Sequence, residues 1–460
     1  MTATTNGQHR STAAIASILD TDLYKLTMQC AILRHFPHIP VAYKFTNRTS
    51  HMRLNRHAFH WLQEQIARLA DLIITDVEME WLRQTCPYLS KEYLSWLQKF
   101  RLKPWEQVRL RFVAADGQDE YGELELSVVG LWVDTILYEI PLLAMVSEAY
   151  FKFVDTDWSY GGQVENAKAK ALQLLEHGCV FSEFGSRRRR DCQTHEMVMQ
   201  GLLEAQRDAE TNGKGWKGKF TGTSNVHMAR RFGTAPIGTV AHEWFMGIAA
   251  ITDNYSEANE RALQYWTATF GRGVLAIALT DTFGTPAFLR SFRRTAPKKG
   301  TNGHAIEGHD QSYAEIFTGV RQDSGDPLHF IKLISSFYAS QNIREKKMII
   351  FSDSLNVDKC LQYQEATDDA NRAFNLNLLA SFGIGTFFTN DFRKASRVEE
   401  KSVPLNIVIK LSEAEGRPAV KLSDDVGKNM GEEVLVRRIK KEVGYQDSSW
   451  GEGDEAHRWD

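Results

Sequence analysis

From Trp158 onward the chain alternates helix-sized segments with short runs that are almost wholly apolar or small, and each run stops at a polar or glycine-rich cluster. The runs are CVFSEFGSRRRR, KFTGTSN, PIGTVAHEW, GVLAIALTDTFGT, IFTGVRQDSGDP, MIIFSDSLN and FGIGTFFTND. A strand that is apolar throughout must be covered on both faces, and helices between such strands supply that cover in a parallel sheet. Seven such units, each with reactive side chains at its C-terminal end, predict a closed or nearly closed β/α barrel whose site lies where those ends meet. An open doubly wound sheet shares the alternation but gathers its site at one switch point.

The flanks read differently. Residues 1–16 are polar and expected to be disordered, and residues 17–157 form an α+β domain. Here Asp20 or Asp22 can cap a first helix, VAYKFTNR alternates as a strand, and Ala58–Phe100 carries amphipathic helices. VRLRFVAA and GELELSVVGLW pair across a turn at Asp116-Gly117, and a long apolar helix follows with Pro141 near an internal break. The barrel spans 158–395. Residues 396–443 hold two short strands around Glu415-Gly416-Arg417-Pro418 that are expected to rejoin the N-terminal sheet, and 444–460 read as a flexible tail. Within the barrel, Arg293 to Gln311 is rich in lysine and glycine and predicts a mobile loop over or beside the site.

Composition narrows the partners. With 43% hydrophobic residues, 25% charged residues and a net charge of -3, the chain is an ordinary globular protein without a global field for nucleic acid or membrane. No apolar run approaches the roughly 20 residues that span a bilayer, and the N-terminus lacks a signal-peptide core. The five cysteines have no CxxC spacing and an odd count. A reduced compartment, cytosol or nucleus, fits them, with neither a disulfide framework nor a zinc site.

The chemistry collects at the run ends. PIGTVAHEW reads as a short strand that delivers His242, a residue suited to proton transfer or nucleophilic attack; a core histidine bonded to nearby backbone is the plainer account. Arg187 to Arg190 follow a strand, where guanidinium forks can hold carboxylate or phosphate, or form a solvated face. Phe184 offers an aromatic wall to a planar ligand. Asp281, Asp323, Asp326 and Asp353, with Arg321 beside them, suit ribose hydroxyls or water-bound Mg2+, although single strand-end aspartates often cap helices. TGTSN and FGIGT are glycine turns whose backbone N–H groups can approach a phosphate. Together these groups suit a polyphosphorylated sugar and a planar acid, with a histidine left for a separate task.

LDTDLYKLTM, EFGSRRRR, TGTSNV, PIGTVAHEW, LTDTFGT, GVRQDSGDP and FSDSLN occur in this order in nicotinate phosphoribosyltransferases; the match runs from about Leu19 to Gly431, and the chain closely resembles a fungal-type member. The resemblance implies a type II phosphoribosyltransferase fold: an irregular β/α barrel with an added α+β domain built from both chain ends. It implies synthesis of nicotinate mononucleotide and pyrophosphate from nicotinate and 5-phosphoribosyl 1-pyrophosphate. It also implies coupling to hydrolysis of ATP as co-substrate, with Mg2+ held through the substrate pyrophosphate and water, in the recycling of nicotinate into NAD. By motif, His242 resembles the histidine phosphorylated by ATP and Phe184 the ring that stacks on nicotinate. Tyr24 resembles the tyrosine that covers the other face, supplied in dimeric members by the partner subunit, so a homodimer with its site near the interface is implied. Arg187 and Arg321 resemble arginines around the base and phosphoribosyl group. Asp323 and Asp353 resemble carboxylates near ribose and pyrophosphate, Asp281 one supporting base or metal, and Gly383 and Gly385 a backbone phosphate cradle. Ser224 stands where nicotinamide-using relatives have an aspartate, which favours the acid as substrate. Nicotinamide- or quinolinate-type transfer and a non-catalytic nucleotide-binding barrel are the rival readings.

Overall fold

The computed structural model describes residues 13–115, 118–212, 215–297, 310–425 and 428–446. The expected turn at Asp116-Gly117, the first dozen residues, most of the Arg293–Gln311 loop and the end of the tail lie outside them. Order begins earlier than position 17. Ala14 and Ile15 are buried, and the Ala14 N–H donates to Gln65 Oε1 at 3.1 Å.

The N-terminal part supplies β1 (Pro40–Asn47), β2 (Leu54–Asn55), β3 (Val108–Ala115) and β4 (Gln118–Leu131). Val41, Tyr43 and Phe45 bury one face of β1, as its period-two pattern requires. The helices of this part begin at chemical caps: Asn55 accepts from the Ala58 N–H, Thr75 and Glu78 form a capping box, and Ser90 accepts from the Tyr93 N–H. Pro141 falls in the first turn of the helix Glu139–Phe153, directly after the 3-10 turn Ile136–Tyr138.

The second sheet is parallel: β5 (Val180–Glu183), β6 (Lys219–Thr223), β7 (Ile277–Leu279), β8 (Gly319–Gln322), β9 (Lys347–Phe351) and β10 (Leu378–Ile384). The hydrogen-bonded order is β6-β5-β10-β9-β8-β7, which is chain order wrapped round a ring with its first and last strands as neighbours. The irregular barrel is therefore present, but one of the seven runs, PIGTVAHEW, is not a strand. Pro236 makes one bridge to Thr223, the Ile237 N–H donates to Thr223 O at 2.8 Å, and regular pairing ends there. Pro236 has no N–H to give and Gly238 sits at a φ of 152°, so the segment crosses the gap between β6 and β7 irregularly. His242 does not end a strand; it opens the helix His242–Thr252.

That helix is fixed by the N-terminal domain. A Cβ on Gly247 would come within 2.4 Å of the Trp132 ring, so glycine is what lets the helix lie against it. Trp132 and Trp244 are both fully buried at this junction.

After β10 a small ladder joins β11 (Phe392–Arg393) to β12 (Lys401–Ser402). Then β13 (Ile407–Ala414) and β14 (Arg417–Pro418) return to the first sheet, β13 pairing antiparallel with β1 from Asn47–Ile407 to Val41–Ala414. The chain next doubles back to the barrel: Leu422 N–H donates to Thr282 O at 2.8 Å and Asp424 N–H to Ser324 Oγ at 2.9 Å. Five cysteines are free thiols. Among the described residues no helix is long and apolar enough to cross a membrane.

Candidate active site

A cavity of about 910 Å3 opens at the C-terminal ends of the parallel strands and extends among their inward-facing residues. Tyr24, Phe184, Arg187, His242, Arg321 and Asp323 all line it, as do Gly383 and Gly385. Eight residues singled out from separate motifs thus meet at one void.

His242 sits at the first helical position, where free N–H groups and the helix dipole favour an anion. Its Nδ1 lies 3.0 Å from Thr282 Oγ1 and its Nε2 lies 2.9 Å from Asp323 Oδ2. Burial, together with the Lys421 ammonium, pushes its pKa down to about 4 against the pull of Asp281 and Asp323. Although burial works the other way, Arg321, His242 and Lys421 hold the Asp323 carboxyl well below its usual range. Asp323 is therefore an acceptor, and a neutral His242 must carry its proton on Nε2. The Nδ1 lone pair then faces the Thr282 hydroxyl.

Asp281 stands behind this pair rather than in the cavity. It is 1% exposed; its Oδ1 lies 3.8 Å from His242 Nε2 without a hydrogen-bond partner, and its Oδ2 accepts from Ser324 Oγ. Asp353 is bound to Lys428 at 2.5 Å. Asp326 is the cap of the helix Pro327–Ser340, accepting from the His329 N–H at 2.8 Å. Arg321 donates to Val240 O at 3.1 Å, and its buried Nε has no partner.

The four arginines part company. Arg187 turns toward the cavity, 46% exposed, with Glu139 Oε1 at 3.6 Å. Arg188 also reaches the cavity and donates from Nε to Ile407 O. Arg189 is buried in a two-bond pair with Asp20, both bonds 2.8 Å. Arg190 lies over Phe151 at 3.6 Å and Phe392 at 4.1 Å and donates to Ser402 Oγ. The last two hold the fold together and cannot grip a ligand.

Three expectations need correction. Ser224 does not line the cavity: it is fully buried and its Oγ donates to Asp22 Oδ1 at 2.7 Å. Nor does Asp22 cap the first helix; it occupies the N-cap position, but its side chain makes no capping bond. Gly383, read as a turn, is a residue of β10, and a Cβ there would come within 3.3 Å of the Phe184 ring. Its bareness lets that ring lie on the strand.

The sequence reading missed several cavity residues: Asp22 as a lining group, Glu139, Glu243 and Lys421. Lys25, fully buried, binds Glu139 and Glu243 at 2.5 Å each, and Tyr43 and Trp132 donate to the other oxygen of Glu243. A lone charge in an apolar helix, such as Glu139 in TILYEIPLLAM, was the available signal. Lys421 carried none.

The chain matches the Nicotinate phosphoribosyltransferase (NAPRTase) family over residues 179–447 and the N-terminal domain of that family over residues 19–147. It is 46% identical over 455 residues to the nicotinate phosphoribosyltransferase of Saccharomyces cerevisiae, covering 98% of this chain and 100% of that one. A crystal structure from the same organism superposes with a TM-score of 0.87 at 45% identity, covering 95% and 100% of the two chains. The crystal structure of nicotinate phosphoribosyltransferase from Porphyromonas gingivalis gives a TM-score of 0.79 at 33% identity, covering 94% and 100%.

Proposed function

The chain belongs to the nicotinate phosphoribosyltransferase family, and we propose that it joins nicotinate to 5-phosphoribosyl 1-pyrophosphate, coupled to ATP hydrolysis through phosphorylation of His242. The products are nicotinate mononucleotide and pyrophosphate, which places the enzyme in the recycling of nicotinate into NAD. The observation that carries this reading is a single cavity holding an aromatic wall, Arg187, Arg321 and a neutral histidine bonded to a carboxylate.

Displacement at ribose C1 passes through an oxocarbenium-like centre, so the enzyme must place the pyridine nitrogen and neutralise the departing pyrophosphate. Phe184 offers its ring to the pyridine face, with Tyr24 in the same cavity. Arg187 meets the carboxylate of the acid, and Arg321 and Lys421 face the phosphates.

The carboxylates also suit a divalent cation. Ligand atoms of His242, Asp281 and Asp323 lie within 4.8 Å of one another, and Asp281 Oδ1 is buried without a partner. Mg2+ prefers oxygen ligands and keeps its waters, so Asp323 and Asp281 would hold it through water and substrate phosphate rather than through the imidazole. When bound, it neutralises charge that develops on the leaving pyrophosphate.

His242 has a separate task. With Asp323 holding Nε2–H, the Nδ1 lone pair attacks the terminal phosphorus of ATP once the Thr282 hydroxyl gives way, and ADP leaves. The helix terminus and Lys421 offset the charge of the phosphoryl group. Its hydrolysis resets the site.

The test is an assay with nicotinate, 5-phosphoribosyl 1-pyrophosphate and Mg2+, with and without ATP, following nicotinate mononucleotide and ADP together. His242→Ala is expected to lose nicotinate-coupled ATP hydrolysis and retain some uncoupled transfer. ATP hydrolysis that stays in step with product in this variant would falsify the coupling role.

A further inference from the structure

Ser224 was the residue expected to choose acid over amide, yet its hydroxyl is spent inside the protein. Two serines converge on one acceptor: Ser186 Oγ and Ser224 Oγ each donate to Asp22 Oδ1 at 2.7 Å. Both serines are fully buried, and of the three residues only Asp22 reaches the cavity. Backbone bonds fix the arrangement, Leu23 N–H to Ser224 O at 2.7 Å and Val226 N–H to Thr21 O at 2.9 Å. With Oδ1 occupied twice, Oδ2 is the oxygen left to meet a ligand. Tyr24 and Arg187 line the same cavity.

We propose that Asp22 is the specificity-determining residue of the base pocket, its carboxyl donating an Oδ2–H hydrogen bond to the carboxylate of the acid acceptor, with Ser224 acting only through it. This rests on the functional reading above. A carboxyl beside a bound carboxylate is stable when the two share one proton, because like charges in contact cannot both ionise. Burial raises the Asp22 pKa, against the two serine bonds and Arg187, and the Glu183 carboxylate pushes the same way as burial. The ligand's own charge raises it further. The amide of nicotinamide offers no anion to stabilise the proton, and so gains less. An aspartate in place of Ser224 would instead set two carboxyls against each other within the wall and give an acceptor for an amide N–H.

The test uses the full chain with saturating 5-phosphoribosyl 1-pyrophosphate and measures nicotinate and nicotinamide kinetics from mildly acidic to mildly alkaline pH. In the wild type, the KM for nicotinate is expected to rise with pH as Asp22 loses its proton. Asp22→Asn keeps a donor but cannot titrate, so this rise disappears, while Asp22→Ala loses the bond and lowers kcat/KM for nicotinate by about tenfold or more. Ser224→Ala removes one bond that favours the carboxylate, so the rise moves to higher pH. An unchanged KM for 5-phosphoribosyl 1-pyrophosphate shows that each variant is folded. A pH rise that persists in Asp22→Asn overturns the proposal. So does Ser224→Ala raising the nicotinate KM at every pH without moving the limb, since that returns the choice to Ser224 itself. Wild-type protein that makes no nicotinate mononucleotide sinks the functional reading instead.

Discussion

His242 differs from a solvent-exposed imidazole in one respect that governs its chemistry: it stays neutral far below the usual histidine range, with a pKa near about 4. Burial is the first cause and Lys421 the second. Because protonation is disfavoured in the fold but not in the unfolded chain, this group's contribution to stability is present above the unfolded histidine pKa and is lost as pH falls toward 4. The same shift sets the reaction. Single-turnover phosphorylation of the protein by ATP is expected to show no acid limb near the ordinary histidine pKa of about 6.5, and to fall only as pH approaches that of the buried imidazole. Lys421→Met removes the nearby like charge, so its acid limb should move upward. A wild-type limb centred on the ordinary value, measured by phosphoprotein formation against pH, would show that the site is more hydrated than its geometry implies. The sequence could nominate His242 but not its protonation, because the lysine that depresses it arrives from a segment 179 positions later.

At the scale of elements, the loop after β5 shows what a motif leaves unsaid. Four consecutive arginines share one composition but not one environment, because the backbone turns between them: two face the cavity and two enter the interior. Arg189→Met strands the fully buried Asp20 without its partner, and breaking a buried pair from one side typically costs about 3–5 kcal/mol. Its thermal midpoint should fall sharply. Arg187→Ala leaves that pair intact, and the loss of a charge-assisted bond should raise the nicotinate KM by about tenfold or more, with little change in the midpoint. Calorimetry and steady-state kinetics on the two variants separate these outcomes; equal melting losses would mean that Arg187 is structural too. The strands themselves were legible because continuous apolar runs have few other uses. PIGTVAHEW looked alike, and it failed as a strand for local reasons, a proline without a donor and a glycine at positive φ. The caps at Asn55, Thr75 and Ser90 follow residue chemistry. Asp22 shows the limit, since an N-cap position does not oblige the side chain to cap when two serine hydroxyls compete for it.

Among the described residues the two six-stranded sheets are tied together by segments from early and late in the chain, and this decides where a complete site can come from. The resemblance implied that Tyr24 could be lent by a partner subunit, yet here it lines the same cavity as Phe184 and His242 of its own chain. Its helix, Leu23–His35, is tied to that barrel: Leu23 N–H donates to Ser224 O, and Thr27 Oγ1 donates to Thr239 O at 2.6 Å. The C-terminal return does the same at the mouth, where Lys421 and Asp424 come in beside Thr282 and Ser324. One chain therefore supplies both rings, Arg187, Arg321 and the histidine, whatever its oligomeric state. Mixing Tyr24→Ala chains with His242→Ala chains, after unfolding and refolding them together, is expected to restore no nicotinate-dependent ATP hydrolysis, because every site carries one defect or the other. Were Tyr24 exchanged between copies, a mixed dimer would assemble one site with both residues intact, and activity would return in proportion to the mixed fraction. Recovery of coupled hydrolysis would thus refute the self-contained site, while its absence, with both variants still binding 5-phosphoribosyl 1-pyrophosphate, assigns Tyr24 to the cavity of its own chain.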